Sequence, residues 1–404
     1  MGNGMSSTHT APARLRLRLT PAAERAVRSG HPWVFDGRIA DQNRDGVTGE
    51  LAIIYCAKTD KFLAAGLYDA ESPMRVRILH TGSPVTIDAA WWQKHLEETI
   101  ARRAGISSAE TNGYRLINGE SDGWPGLVLD RYADALVLKL YSAVWLPRLA
   151  GLEESFTSLL RPASLHLRLS RNIVPAAAAM GIAEGLRHGD ERDTVVFLEN
   201  GLRFEAAVRL GQKTGFFLDQ RENRQRVGGL TRGAHVLNCF SFSAGFSVYA
   251  ARGGAVAVND ADISAAALDA GDRNWALNAA ATAQCRRERQ QVDVFDWLEN
   301  GPRGRLYDVV ITDPPSLAKR ETGRETAIAA YASLAASTLP FIKPGGVLVS
   351  ASCSAHVSSE EFLTTIQKAV RSRLRKILWT SGHSQDHPAS FAEAHYLKCI
   401  ALQV

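Results

Sequence analysis

The sequence predicts a multidomain α/β protein: an all-β segment, then a mixed α+β segment, then a parallel sheet flanked by helices. Three observations predict it. A chain of 404 residues is too long for one ordinary core. Its first structured stretch, Arg14-Leu15-Arg16-Leu17-Arg18-Leu19, alternates polar and apolar with period two, the pattern of a half-buried strand. From about residue 211 onward, short apolar runs alternate with helical segments, as in a sheet whose two faces are covered by helices.

Composition narrows the class. Charged residues make up 22% and the hydrophobic set 45%, the balance of an ordinary globular chain. The formal net charge of +5 is compatible with a nucleic-acid partner without demanding one. No apolar run reaches the roughly 20 residues that span a bilayer. The five cysteines, Cys56, Cys239, Cys285, Cys353 and Cys399, are scattered and show neither zinc-ligand nor disulfide spacing. A reducing cytoplasm and no metal are therefore expected.

Residues 1–12 are small and polar and are expected to form a disordered tail. They lack the basic start and apolar core of a signal peptide, though Gly2 and Ser6 match a loose myristoylation pattern. Residues 13–82 read as the β domain. Leu51–Tyr55, Phe62–Leu67 and Met74–Leu79 continue the strands, with Gly46, Gly49 and Pro73 between them. Five arginines against Glu24 in residues 1–28 could be a solvated face or a phosphate-contacting one. Residues 83–209 form the mixed segment. Trp91–Ala104 reads as an amphipathic helix and Leu136–Leu140 as a strand. Glu199-Asn200-Gly201 reads as a hairpin turn between Val195–Leu198 and Leu202–Ala206.

Residues 210–404 hold the regular alternation. Strands are expected at His235–Phe240, Ala255–Asn259, Arg286–Gln291, Tyr307–Thr312 and Val347–Ser352, with helices such as Ile263–Asn278 and Thr326–Phe341 between them. The final run, His395–Leu402, has no following helix and is expected to pair antiparallel, beside Lys376–Trp379. After the first strand comes Ser241-Phe242-Ser243-Ala244-Gly245, whose small residues let the backbone approach a nucleotide. After the second come Asp260 and Asp262, either able to take ribose hydroxyls; Asp262 also reads as a helix N-cap. Asp293 and Phe295 follow the third, suited to an adenine amine and ring or, equally, to a cap and a core aromatic.

The chemistry concentrates at two strand ends. One apolar run stops at Asp313-Pro314-Pro315, a carboxylate on a loop stiffened by two prolines. The other stops at Ser352-Cys353-Ser354. Ligands of open α/β sheets lie at the carboxyl ends of strands, so both groups are expected in one crevice. A thiolate adding to C6 of a pyrimidine makes C5 nucleophilic, and a proton donor at N3 stabilises the adduct. Ser316 stands where amino-directed methyltransferases carry a stacking aromatic. The pair itself does not choose cytosine over uracil.

The chain resembles the large-subunit rRNA cytosine-C5 methyltransferases. Gly30-His31-Pro32-Trp33-Val34-Phe35 and Gly66-Leu67-Tyr68 resemble their opening PUA domain. Arg115–Leu127 and Asp130-Arg131-Tyr132 resemble their central domain, and Gly211–Arg224 the entrance to their catalytic domain. Asn238–Phe242, Gly245–Ala250, Asp313-Pro314-Pro315 and Ser352-Cys353-Ser354 resemble their cofactor and catalytic motifs. The resemblance implies a β-barrel PUA domain and a Rossmann-like class I methyltransferase sheet with an antiparallel last strand. It implies S-adenosyl-L-methionine as methyl donor, Cys353 as nucleophile and Asp313 as base-recognition partner. Phe217, Gln220, Arg221, Asn238, Phe240, Ser241, Gly245, Asp262, Ser264, Asp293, Phe295, Asp313 and Pro314 are its implied cofactor contacts. Arg14, Arg16, Arg18, His31 and Trp33 are its implied contacts to ribosomal RNA. Ala244 departs from the family, where a second glycine is usual, as does Cys239 for leucine. A homodimer is a further expectation. Two rivals stay open: a guanine methyltransferase without a covalent step, and a non-catalytic RNA-binding assembly factor.

Overall fold

The structure, a computed structural model, describes residues 14–211, 213–318 and 320–404; the expected tail with Gly2 and Ser6, and Gln212, lie outside them. Strand β1 (Leu15–Leu19) buries its three leucines and turns Arg16 and Arg18 outward, as the alternation requires. It is followed by helix α1 (Pro21–Arg28), β2 (Trp33–Val34), β3 (Ile39–Gln42), β4 (Leu51–Tyr55), β5 (Phe62–Tyr68) and β6 (Val76–Thr81). These strands form one sheet in the order β2-β6-β5-β4-β1-β3. Helix α1 corrects the all-β expectation. Pro21 sits in its first turn, and Ala23 and Val27, one turn apart, bury against the leucines of β1.

Helix α2 (Ala89–Ala101), capped by Asp88, leads into a second sheet. Its strands are β7 (Gly113–Asn118), β8 (Leu127–Tyr132), β9 (Ala135–Leu140), β10 (Ser164–Leu169) and β11 (Gly185–Gly189), in the order β11-β10-β9-β8-β7. Helices α3 (Leu149–Leu160) and α4 (Val174–Ala179) accompany it, and Trp124, Trp145 and Phe156 are fully buried in its core. The hairpin β12 (Val195–Glu199) and β13 (Leu202–Ala206) turns on Asn200 and Gly201, at φ 50° and 79°. Its aromatic face joins Tyr132 of the second sheet to Tyr249 of the third region.

Helix α5 (Arg221–Gly228) opens that third region. Strands β14 (His235–Cys239), β15 (Ala257–Asp262), β16 (Arg286–Gln291), β17 (Tyr307–Thr312), β18 (Ile342–Ser352), β19 (Lys376–Ser381) and β20 (Lys398–Gln403) form a sheet ordered β16-β15-β14-β17-β18-β20-β19. Helices α6 (Gly245–Arg252), α7 (Ala265–Leu277), α8 (Ala279–Thr282), α9 (Val294–Asn300), α10 (Arg324–Thr338) and α11 (Ser359–Ala369) cover it. Only β20 breaks the parallel run, pairing antiparallel with both neighbours. The sheet therefore ends on β19, with β20 lodged inside it. The strand order reverses between β14 and β17, the switch point where such sheets open a crevice.

The loop between β19 and β20 ties the regions together. Arg103 donates to the Asp386 carbonyl (3.3 Å), the Arg115 backbone N–H to the Asp386 carboxylate (2.8 Å), and Asn118 to the Pro388 carbonyl (2.8 Å). Phe391 meets the ring of Trp33 edge-on at 5.2 Å. No described helix is long and apolar enough to cross a membrane.

Candidate active site

Five parallel strand ends converge on one cavity of about 450 Å³. Strand β14 delivers Phe240 and Ser241, β15 Asp262, β16 Asp293, β17 Asp313 and β18 Cys353. The wall is completed by Phe217 and Gln220, which precede α5, and by Leu397 at the foot of β20.

The turn after β14 is wound tightly. Phe240, Phe242 and Ala244 all take left-handed φ values of 59°, 47° and 60°, unusual for residues with a Cβ. Asp262, at the end of the neighbouring strand β15, pins this turn: its two oxygens accept from the Phe242 and Ser264 backbone N–H groups, both at 2.9 Å. The N-cap of α7 is Ser264, whose hydroxyl accepts from Ala267, so the expectation that Asp262 caps that helix is corrected. Each Asp262 oxygen keeps a lone pair for a ligand hydroxyl. Asp260 points elsewhere, buried against Arg287 at 2.6 Å. Asp293 caps α9 and lines the cavity. Phe295 meets Phe240 at 5.1 Å and stays partly exposed, and these two rings make an apolar cleft beside the carboxylates.

At the reacting end, Gln220 donates to Asp313 at 3.0 Å, and Asn223 fixes that amide by donating to its oxygen at 2.6 Å. Burial, and then the negative charge of Asp219, push the Asp313 carboxyl up to about 6. Burial, and then Asp313, push the Cys353 thiol up to about 11. The resting pair is a neutral thiol beside an easily protonated carboxylate. Hydroxyls hold the two loops in register. Ser354 bonds Ser316 (3.2 Å) and Tyr331 (2.9 Å), and Ser352 donates to Tyr331 (2.8 Å). Lys398 is buried behind them and donates to the Ser354 and Val357 carbonyls; burial lowers its pKa to about 8. Ser316 thus has a structural task where an aromatic would be out of place.

Of the residues expected to touch the cofactor, Phe217, Gln220, Phe240, Ser241, Gly245, Asp262, Ser264, Asp293, Phe295, Asp313 and Pro314 line the cavity. Two expectations are corrected. Arg221 points away into a buried bidentate pair with Asp386 (2.9 and 3.1 Å), because the first turn of α5 carries it toward the β19–β20 loop. Asn238 lies within β14 and donates to Ser247 (2.8 Å) and Asp260 (3.2 Å) beneath the turn. Lys213, Asp219 and Arg224 line the cavity too; all three stand in the Gly211–Arg224 block, but nothing in their spacing marks them. Leu397 arrives only through the placement of β20.

The arginines of β1 face outward but are largely matched. Arg18 pairs with Asp41 (3.0 Å) and Asp60 (2.8 Å), and Arg16 lies 3.8 Å from Asp60, while Arg14 is exposed. Trp33 donates its indole N–H to Glu120 at 2.9 Å, and His31 lies 3.6 Å from Glu393, so both are engaged at the contact between regions.

The cavity fits S-adenosylmethionine. It offers a carboxylate beyond the second strand, an aromatic cleft beside a third-strand carboxylate, and a turn that brings backbone close. Ser241 Oγ is buried in its wall with no hydrogen bond among the described residues, a polar atom that this ligand can satisfy. That ligand supplies an electrophilic methyl group.

The S-adenosylmethionine-dependent methyltransferase family matches residues 154–374, and the PUA-like domain matches residues 17–81. A ribosomal RNA large subunit methyltransferase from Deinococcus radiodurans is 54% identical over 411 aligned residues, covering 99% of this chain and 100% of that one. Ribosomal RNA large subunit methyltransferase I from Shewanella denitrificans is 31% identical, covering 96% and 99%. A crystal structure of a methyltransferase complexed with SAH has the same fold, with a TM-score of 0.83 at 22% identity over 96% of this chain and 100% of the other. The turn after β14, the carboxylates at successive strand ends and this end-to-end similarity agree, and the chain belongs to the ribosomal RNA large subunit methyltransferase family of S-adenosylmethionine-dependent enzymes.

Proposed function

We propose that the protein methylates C5 of a cytosine in large-subunit ribosomal RNA, through a covalent bond between Cys353 and C6 of the base. The observation that carries the chemistry is the pairing of a thiol and a readily protonated carboxyl at the ends of adjacent strands β17 and β18, in the wall of one cavity. The choice of RNA is supported by the names of the relatives.

In this reading, the thiol proton of Cys353 passes to Asp313 as sulfur adds to C6, and Asp313 passes it on to N3. C5 then has enamine character and takes the methyl group that S-adenosylmethionine supplies. A base takes the C5 proton, the Cys353 thiolate leaves C6, and the N3 proton returns through Asp313 to the thiolate, which restores the aromatic ring and the resting thiol. The active form of the pair holds one proton. It dominates between about 6 and about 11. At pH 5 about a tenth of the enzyme is in that form, so activity falls roughly tenfold from its plateau. Asp262, Asp293 and Phe295 hold the cofactor. Arg14, with Arg16 and Arg18 once Asp41 and Asp60 release them, meets RNA phosphates. The work is divided among residues 13–82, 83–209 and 210–404, in a reducing cytoplasm that keeps the free cysteines as thiols. Light scattering decides whether the enzyme works as a homodimer.

The test uses large-subunit rRNA transcribed with 5-fluorocytidine. Fluorine cannot leave C5 as a cation, so the Cys353–C6 bond persists and a denaturation-resistant adduct accumulates with S-adenosylmethionine. Cys353→Ala forms none. Retained turnover by Cys353→Ala overturns the covalent reading in favour of methylation without it. Nucleoside mapping of rRNA from a deletion strain identifies the base.

A further inference from the structure

Asp219 is an anion with an oxygen to spare. Its side chain is 4% exposed, and Oδ2 accepts from Lys213 Nζ at 2.7 Å and from the Tyr396 hydroxyl at 2.8 Å. Its backbone carbonyl is held by the Ser384 N–H (3.1 Å) and hydroxyl (3.0 Å), so the residue is fixed at both ends. Oδ1 is buried and accepts no hydrogen bond from any described residue. Buried carboxylate oxygens are rarely left without donors, and one in a cavity wall points to a ligand donor. Burial alone would raise the carboxyl's pKa, but Lys213 and His387 outweigh it and hold the group ionised, hence an acceptor only.

The position decides which donor. Asp219 shares the wall with Asp313, Cys353 and Gln220, and its partners Tyr396 and Ser384 belong to the loop leading into β20, which pairs with β18. Its charge acts on both Asp313 and Cys353. This is the reacting end, away from the Asp262, Asp293 and Phe295 end. Cytosine and uracil differ there by one inversion. Cytosine presents an N4 amine donor beside an N3 acceptor; uracil presents an O4 acceptor beside an N3 donor.

We infer that Asp219 Oδ1 receives the N4 amine of the target cytosine, so that Asp219 rejects uracil while Asp313 serves N3. Uracil would set its O4 lone pairs against a fixed anion, a repulsion as well as a lost bond. The inference rests on the covalent reading above and adds the residue that discriminates the base.

The test compares wild type with Asp219→Asn, S-adenosylmethionine being present, on large-subunit rRNA transcribed with 5-fluorocytidine and on the same rRNA with its mapped target cytidine changed to uridine and transcribed with 5-fluorouridine. Initial rates of adduct formation are read on denaturing gels, and cofactor affinity by calorimetry. Wild type should trap the cytidine RNA faster by a factor of at least about 100. Asp219→Asn should lower that preference at least about tenfold while cofactor affinity stays within about threefold. An unchanged preference in a folded Asp219→Asn overturns the inference and leaves the covalent reading standing. Cofactor affinity weakened more than tenfold, with preference intact, assigns Oδ1 to the cofactor's ammonium group and also overturns it. No wild-type adduct with either RNA overturns the covalent reading and this inference together. Should Asp219→Asn not fold, Asp219→Ser, which also removes the charge, carries the same expectations.

Discussion

Asp313 is costly to keep, and Asp313→Asn should reveal how costly. The carboxyl's pKa rises from an ordinary 3.8 to about 6 in the folded chain. The unfolded state therefore ionises first, and the folded state is penalised once pH exceeds 3.8. At pH 8 the full penalty is about 3 kcal/mol, reduced to about 2 because Asp313 keeps some contact with solvent. It shrinks to about a third of its full size at pH 4.5 and vanishes when both states are protonated. Asparagine keeps the shape and the oxygen that Gln220 donates to, but carries no charge. Asp313→Asn should therefore unfold about 2–3 °C above wild type at pH 8. The gain should fade as pH drops through 6 to 4.5. The assay is thermal unfolding by circular dichroism at both pH values, alongside adduct trapping, which this variant should lose. An equal shift at both pH values, or none at pH 8, refutes the claim that a buried charge is the source.

Three further outcomes follow from the geometry. Asp262→Ala removes the anchor of the β14 turn and its ligand oxygens, and should weaken S-adenosylmethionine binding about 10–100-fold by calorimetry; unchanged affinity removes Asp262 from the cofactor site. Ala244→Gly relieves a left-handed residue and should raise stability by about 0.5–1 kcal/mol in urea titrations, whereas a loss means the Ala244 side chain packs usefully against Gly271. Arg287→Met strands the buried Asp260 carboxylate and should cost about 3–5 kcal/mol, and a loss below 1 kcal/mol shows that Asp260 folds protonated.

The reacting end was legible because its residues stand at strand ends. An apolar run that stops at Asp313, and another that stops at Cys353, declare both the element and the side chain it offers. The same logic found Asp293 and narrowed the second strand end to Asp260 or Asp262, between which the family resemblance chose. It failed where direction depends on helix phase: Arg221 and Arg224 lie three apart in one helix, and only the second reaches the cavity wall. It failed at Asn238, where alternation along β14 turns the side chain under the turn. Helix α1 hid in a β-rich stretch because eight residues leave little periodicity, though Pro21 and the Ala23–Val27 spacing were there to be read. Leu397 and Tyr396 were out of reach altogether, since their role depends on β20 inserting between β18 and β19.

The loop that carries Leu397 into the cavity wall and Tyr396 onto Asp219 is the same loop that binds the other two regions through Asp386, Pro388 and Phe391. Its order is a shared possession. Deleting the N-terminal domain strips the Trp33 edge from Phe391 and leaves that ring facing water. The disturbance runs a few residues along the chain to the hydroxyl that steadies Asp219. The segment reads as three modules in sequence, yet the chain should melt as one cooperative unit. Exchanging its first domain for another RNA-binding module would require rebuilding a loop that belongs to the catalytic sheet.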